Sequence, residues 1–161
     1  MVIVTRANDQ KWNIEIINHL IKYHKEFGFN KDELLKFKEE IKGNNEIPLI
    51  PESLIGVKEN YKIYYGSGEA GNITLTKCND EVWEIDIFIF DEFQGKSITP
   101  VAIKQLMEMY NDRTWKVNIL ALNSKYLVLK SILESLGFVK NSIDLPNQEG
   151  IIVYEFLCPL K

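Results

Sequence analysis

Arginine is almost absent from this chain. Arg6 and Arg113 are the only two in 161 residues, and lysine supplies the rest of the basic count. The guanidinium fork is the group best shaped for bidentate phosphate contact. Nineteen basic against 23 acidic residues leave a net charge of −4. Nucleic-acid binders carry a basic stripe, so no nucleic-acid partner is expected. Cysteine is as scarce: Cys78 and Cys158 make neither a disulfide framework nor a zinc-ligand set. Histidine occurs only as His19 and His24. That excludes a histidine-rich centre, so no metal is expected. No apolar run approaches the ~20 residues of a membrane helix. The start, Met-Val-Ile-Val-Thr-Arg, has neither the basic leader nor the apolar stretch of a signal peptide. The expectation is a cytoplasmic protein with no membrane partner. Abundant Lys, Ile and Asn fit an AT-rich bacterial coding sequence.

What is present is ordinary globular material, 45% apolar and 11% aromatic. The length suits one domain over 1–161, and no repeat or linker interrupts it. A β-branched run at 2–5 reads as a strand. Asn8-Asp9 offers an N-cap for a first helix, whose stripe is Ile17, Leu20, Ile21 and His24 and whose end is Gly28. His24 is expected to be half-buried packing. Asn30 opens a second helix with Leu34, Phe37 and Ile41 on one face, closed by Lys42 and Gly43. Residues 44–55 read as loop. From Val57 the period falls to two. Strands are predicted at 57–65, 72–77 and 82–90, joined by turns at Gly66-Ser67-Gly68 and Asn79-Asp80. A helix at 100–110, a strand at 115–122 and a helix capped by Ser124 and stopped by Gly137 follow. A short strand begins at Phe138, residues 144–150 read as loop, and a last strand covers 151–157. The order β-α-α-β-β-β-α-β-α-β-β is α+β: a mixed, largely antiparallel sheet with helices on both faces, in three α/β/α layers. The strand at 115–122 should lie parallel to 82–90, with the intervening helix as a right-handed crossover.

The chemistry concentrates between 82 and 104. A strand feeds a short loop, Gln94-Gly95-Lys96-Ser97-Ile98-Thr99, into a helix. Such a junction aims backbone N–H groups and the positive dipole end at one spot, an anion cradle suited to a pyrophosphate. Gly95 admits close approach of another group. Lys96, Ser97 and Thr99 add donors, and Pro100 suits a first helical turn. Glu84 and Asp86 stand two apart on one strand and share a face. Paired carboxylates beside apolar residues tend to have one raised pKa, which suits a base. Tyr126 could act as an acid. Tyr61, Tyr64, Tyr65 and Trp83 read as core or as pocket lining. Cys78, with no histidine near it in sequence, reads as an inert thiol.

The run EVWEIDIFIFDEFQGKSITPVAIKQLMEMY, followed by WKVNILALN and ILESLGF, resembles the GNAT family of acetyl-CoA-dependent N-acetyltransferases. In that family a loop of the form Arg/Gln-x-x-Gly-x-Gly/Ala holds the acetyl-CoA pyrophosphate. The resemblance covers the whole order of elements, and its motifs occupy residues 84–138. It implies that Gln94 opens the loop and that Gly95, Lys96, Ser97, Ile98 and Thr99 present N–H groups to the pyrophosphate. It implies that the main chain of Ile87, Phe88 and Ile89 pairs with the pantetheine arm, and that Asn123 lies near the cofactor. The motif glycine is Ser97 here, and its Gly/Ala is Thr99. The family's acid tyrosine falls on Leu133 and its base glutamate on Asn118, so Glu84, Asp86 and Tyr126 are the candidate proton carriers. The implied reaction is transfer of acetyl from acetyl-CoA to a primary amine, small or peptidic, by direct attack within a ternary complex. The alternative is a non-catalytic GNAT-like module that binds CoA or another protein. A homodimer is open on either reading.

Overall fold

The computed structural model describes residues 1–44, 46–141, 145–147 and 150–159. Eight strands form one sheet: β1 (Val2–Arg6), β2 (Lys58–Tyr65), β3 (Gly68–Lys77), β4 (Val82–Ile89), β5 (Thr114–Leu120), β6 (Val139–Lys140), β7 (Leu145–Pro146) and β8 (Ile152–Cys158). Their order is β1-β2-β3-β4-β5-β8-β6, and β7 also pairs with β8. Every pairing is antiparallel except β4 with β5. The expected three-strand meander and parallel neighbour are therefore present. The short β7 lies within the stretch read as loop.

The helices are α1 (Ile14–Lys22), α2 (His24–Phe27), α3 (Lys31–Gly43), α4 (Ile98–Glu108) and α5 (Tyr126–Ser135). The first predicted helix is two, broken at Tyr23, and Gly28 ends the second at φ 74°. Its cap is not Asn8-Asp9 but Asn13, whose side chain accepts from the Ile16 N–H at 2.9 Å. Asn30 caps α3 as expected. Asn123, not Ser124, binds the turn before α5, accepting from the Lys125 N–H at 2.9 Å. Helix α4 begins two residues ahead of Pro100. The proline still falls in the first turn, where its missing N–H breaks no helical bond.

Two apolar clusters separate the layers. One packs α4 (Ile98, Ala102, Ile103, Leu106) and Leu133 of α5 on Ile73, Ile85, Ile89, Val117 and Phe156. The other packs Ile16 and Leu20 of α1 on Phe88 and Phe90 at the far end of β4, with Leu34 of α3 against them. Alternation along β4 thus sends Trp83, Ile85 and Ile89 to one face and Glu84, Asp86 and Phe88 to the other. Gly71 lets β3 lie close to β4, because a Cβ there would stand 2.1 Å from the Phe88 carbonyl oxygen. Among the described residues no helix is long and apolar enough to cross a membrane.

The β4–β5 ladder is short. Val82, Trp83 and Glu84 pair with Thr114, Trp115 and Lys116, and beyond them the strands part. Arg113, just before β5, closes the joined end. It donates to both Glu59 carboxylate oxygens at 2.9 Å. It also stacks 3.9 Å over Trp83 of β4 and 3.6 Å over Tyr110. Glu59 is 7% exposed and the Arg113 side chain 12%. Burial pushes the Glu59 carboxyl up. The hydrogen bonds from Arg113 and Tyr61 and the Arg113 charge outweigh it, and the net shift is downward.

Removing one partner of such a pair strands a buried charge. Arg113→Met should cost about 3 kcal/mol and lower Tm by roughly 6–12 °C. The lowered Glu59 pKa stabilises the fold above the ordinary carboxylate value and ceases to do so as pH falls through it. In Arg113→Met the Tyr61 hydrogen bond and the Arg6 charge remain, but the Arg113 contribution is gone and the carboxyl titrates higher than in wild type. The gap between the two proteins should therefore narrow below about pH 4, and thermal melts across pH 3–7 check it.

Candidate active site

Where β4 and β5 diverge, their inner edges lose sheet partners. Phe90 N donates to the Ala70 carbonyl at 2.8 Å. By alternation in an antiparallel ladder, Phe88 turns its main chain to β3, and Ile87 and Ile89 turn theirs toward β5. A cavity of about 130 Å³ opens there. Its walls include Ile87, Phe88 and Ile89 of β4, Gln94, Thr99 at the start of α4, and Asn123 with Lys125 before α5. The structure thus brings together six residues expected at the cofactor: Ile87, Phe88, Ile89, Gln94, Thr99 and Asn123. Only Phe88 differs in manner, offering its ring to the cavity and its peptide edge to β3.

The loop ahead of α4 is built as a cradle. A 3-10 turn (Asp91–Phe93) leads out of β4. Gly95 stands at φ 76° and Ser97 at φ 56°. Ser97 is the one non-glycine residue of left-handed backbone among those described. Only glycine adopts that region without steric cost, which is why a motif glycine belongs there. Ser97 is the N-cap of α4, yet its side chain makes no capping bond. Among the described residues the N–H groups of Gly95, Lys96, Ser97, Ile98 and Thr99 donate to no protein acceptor. A Cβ added at Gly95 would meet nothing within 4 Å. These are five free donors on a strained loop at a helix N-terminus, the setting that favours a bound anion. Ile98 itself is anchored in the core. Lys96 leans away, its Nζ 5.7 Å over the Tyr65 ring.

Gln94 spans the cleft. Its Nε2 donates to the Ile89 carbonyl at 2.6 Å, and its Oε1 accepts from Lys125 Nζ at 3.3 Å. Gln94 thereby ties the free edge of β4 to the residue that precedes α5. Asp91, at the start of the turn, binds Lys22 and Tyr23 of the α1 segment.

None of the three proton-carrying candidates is among the cavity walls; Glu84 and Asp86 share a face of β4 and Tyr126 begins α5. Glu84 is half-buried, 3.9 Å from Lys116 Nζ and 3.5 Å from Asn118 Nδ2. Asp86, one step nearer the cavity along β4, keeps an exposed surface although much of the volume around it is protein. That desolvation, with the Glu84 charge beside it, pushes the Asp86 carboxyl up to about 6, against the pull of Lys58 and Lys116. Tyr126 packs on Tyr154 and Phe156, at ring centroids of 4.5 and 6.3 Å, and is not among the cavity walls. Tyr61 is core, bonded to Glu59 and Tyr110. Cys78 is exposed.

His19 went unread in the sequence. It lies on α1, 8% exposed, in a nest of Tyr23, Phe27, Phe88 and Phe90 rings at 4.8–6.0 Å, and it forms one wall of the cavity. Burial lowers its pKa below the usual imidazole value. The stripe Ile17, Leu20, Ile21, His24 drew attention to the other histidine. The signal that was available is that His19 adjoins Leu20 on the same buried arc.

No protein-family model matches the chain, and no curated protein matches it by sequence. Solved structures match it along its whole length. The ribosomal L7/L12 alpha-N-protein acetyltransferase RimL in complex with coenzyme A is 13% identical, with a TM-score of 0.63 over 99% of this chain and 94% of that one. Spermidine N-acetyltransferase from Vibrio cholerae, in complex with CoA and spermine, is 14% identical at a TM-score of 0.62, covering 97% and 94%. IAA acetyltransferase from Bacillus cereus is 12% identical at 0.63, covering 99% and 100%. Near-complete coverage in both directions, with the splayed parallel pair and the loop-to-helix cradle in place, gives this chain the fold of the GNAT N-acetyltransferases.

Proposed function

We propose that the protein is an acetyl-CoA-dependent N-acetyltransferase acting on a primary amine within a ternary complex. The observation that carries this reading is the row of five unbonded N–H groups, from Gly95 to Thr99, at the open end of the β4–β5 cleft. Two of the similar structures hold CoA, and their acceptors are amines. In this chain the pyrophosphate would lie on the cradle and the pantetheine arm along the peptide edges of Ile87 and Ile89. Gln94 would have to yield the Ile89 carbonyl as the arm enters. Thr99 and Asn123 would flank it.

The acceptor enters as an ammonium ion and must lose a proton to attack the thioester. Asp86 is the proposed base. Its raised pKa makes it a better proton acceptor than an ordinary carboxylate, and Glu84 acts by keeping it raised. The acceptor class is a small or peptidic amine. A non-catalytic CoA-binding module is the outcome if cofactor binds and no amine reacts.

Two outcomes are expected. Saturating CoA or acetyl-CoA, at about 100 times Kd, should stabilise the fold by ~2.7 kcal/mol and raise Tm by roughly 5–10 °C. Ser97→Glu, which sets a carboxylate where the phosphates would sit, should abolish that shift. Ser97→Gly should keep it and itself melt higher, because the left-handed backbone no longer costs about 1 kcal/mol. Differential scanning fluorimetry decides both, and an unshifted wild type at millimolar CoA would sink the reading.

The second outcome concerns pH. With Asp86 as base, kcat should rise through an apparent pKa near 6 and level off above it. Asp86→Asn should lose about 10²-fold or more. Glu84→Gln removes the like charge, so its rate limb should move to lower pH. A Glu84→Gln profile that coincides with wild type, together with a near-normal Asp86→Asn, would remove both residues from the mechanism.

A further inference from the structure

Once Tyr126 is packed against Tyr154 and Phe156, no group named so far protonates the departing thiolate. The cavity offers one. His19 is the only imidazole on its walls. Neither of its ring nitrogens has a hydrogen-bond partner among the described residues. Its carbons are held by four aromatic rings, two from the α1–α2 segment (Tyr23, Phe27) and two from the β4 end (Phe88, Phe90). The ring is therefore fixed in place while its nitrogens stay uncommitted. Nor are those nitrogens sealed in protein: among the described residues the one fully buried side-chain polar atom without a partner is Asn72 Oδ1. An unpaired imidazole on a cavity wall is placed to meet something that enters.

Resting on the acetyltransferase reading, we propose that His19 is a catalytic residue, the proton shuttle between the attacking amine and the leaving sulfur. After Asp86 has taken the first proton of the ammonium, the neutral amine adds to the thioester carbonyl. The C–N bond forms, and the nitrogen of the adduct becomes positive. His19 takes one proton from that nitrogen and becomes imidazolium. As the C–S bond breaks, the sulfur leaves with the electron pair and takes that proton from His19. The products are the amide and the free thiol of CoA. The Asp86 proton passes to solvent, and both carriers return to their starting forms.

The surroundings suit brief protonation. Burial keeps the resting ring neutral, so it can accept. The charged groups that face it are Asp91 from the turn after β4, Lys22 on α1 and Lys125 before α5. Glu26 of α2 and Tyr23 also border the cavity. Asp91 favours the imidazolium and the two lysines oppose it. The aromatic faces around the ring attract a cation at short range. The ring is therefore neutral at rest and, once protonated, a ready donor.

The test uses the full chain, acetyl-CoA, and a panel of amines: spermidine, a peptide with an N-terminal serine, and 2-phenylethylamine. Thiol release is followed with whichever amine wild type uses fastest. His19→Gln keeps a polar side chain that carries no proton. It should lose about 10²-fold or more in kcat while KM for acetyl-CoA and the CoA-induced rise in Tm stay unchanged. His19→Ala should lose at least as much and regain rate when free imidazole is added. Asp86→Asn should gain nothing from imidazole. Wild type that binds CoA but releases no thiol with any amine overturns the enzyme reading and the shuttle with it. Wild-type turnover with near-normal rates in His19→Gln overturns the shuttle alone. So does a His19→Gln that no longer responds to CoA, because the residue would then hold the site's shape instead of its proton.

Discussion

Arg113 decides where β4 and β5 are together and hence where they are apart. Its guanidinium is committed on three sides: two hydrogen bonds to Glu59 of β2, the Trp83 ring of β4, and the Tyr110 ring that follows α4. That ties the meander, the crossover helix and the start of β5 at one point. Only three residues on each strand pair beyond it. The remainder of β4 keeps β3 on one side and faces a cleft on the other. The cleft is thus a consequence of a fixed joint, and the loop to α4 necessarily ends at its mouth. Both arginines of the chain lie against Glu59, Arg113 at 2.9 Å and Arg6 at 3.8 Å, so in the proposed reading anion recognition falls to main-chain N–H groups. That division is consistent with the physics of the loop: free amides at a helix start attract an anion without any cationic side chain.

Much of this was legible in the residues. Period-two alternation announced the strands on either side of Gly66-Ser67-Gly68, and Leu136-Gly137-Phe138 announced the end of α5. The Gln94–Thr99 loop announced a cradle because its residue types and its position between strand and helix agree. What the sequence did not yield was the partnering of side chains far apart in the chain. Glu59 and Arg113 are 54 positions apart, and nothing local in either segment marks them as a pair. His19 was passed over because a histidine on an apolar stripe is ordinary packing until its neighbours are known. Three of those neighbours, Phe88, Phe90 and Asp91, come from β4 and the turn after it. The boundary at Asn13 was missed because Asn8, Asp9 and Asn13 are all good caps, and tertiary packing chose among them.

The departures from the family motif fall into two kinds. Ser97 keeps the left-handed backbone that glycine would supply more cheaply, so the geometry of the loop survives the change at a cost in stability. Leu133 is different. It stands where the resemblance implies an acid tyrosine, and it is an aliphatic side chain buried in the core cluster. Asn118 likewise brings an amide, not a carboxylate, to the sheet face beside Glu84. In the proposed mechanism the proton work falls instead to His19 on α1, within the cavity walls, and to Asp86 on β4, just outside them. Burial lowers the His19 imidazole, whereas desolvation and the Glu84 charge raise the Asp86 carboxyl to about 6.

A crystal structure of the protein soaked with acetyl-CoA tests the central claim most directly. The account predicts the pyrophosphate oxygens within ~3 Å of the amide nitrogens between Gly95 and Thr99. The pantetheine arm should run along the edges of Ile87 and Ile89, with Gln94 withdrawn from the Ile89 carbonyl. Cofactor density elsewhere on the molecule, or an unfilled cleft still bridged by Gln94 at millimolar acetyl-CoA, would contradict it.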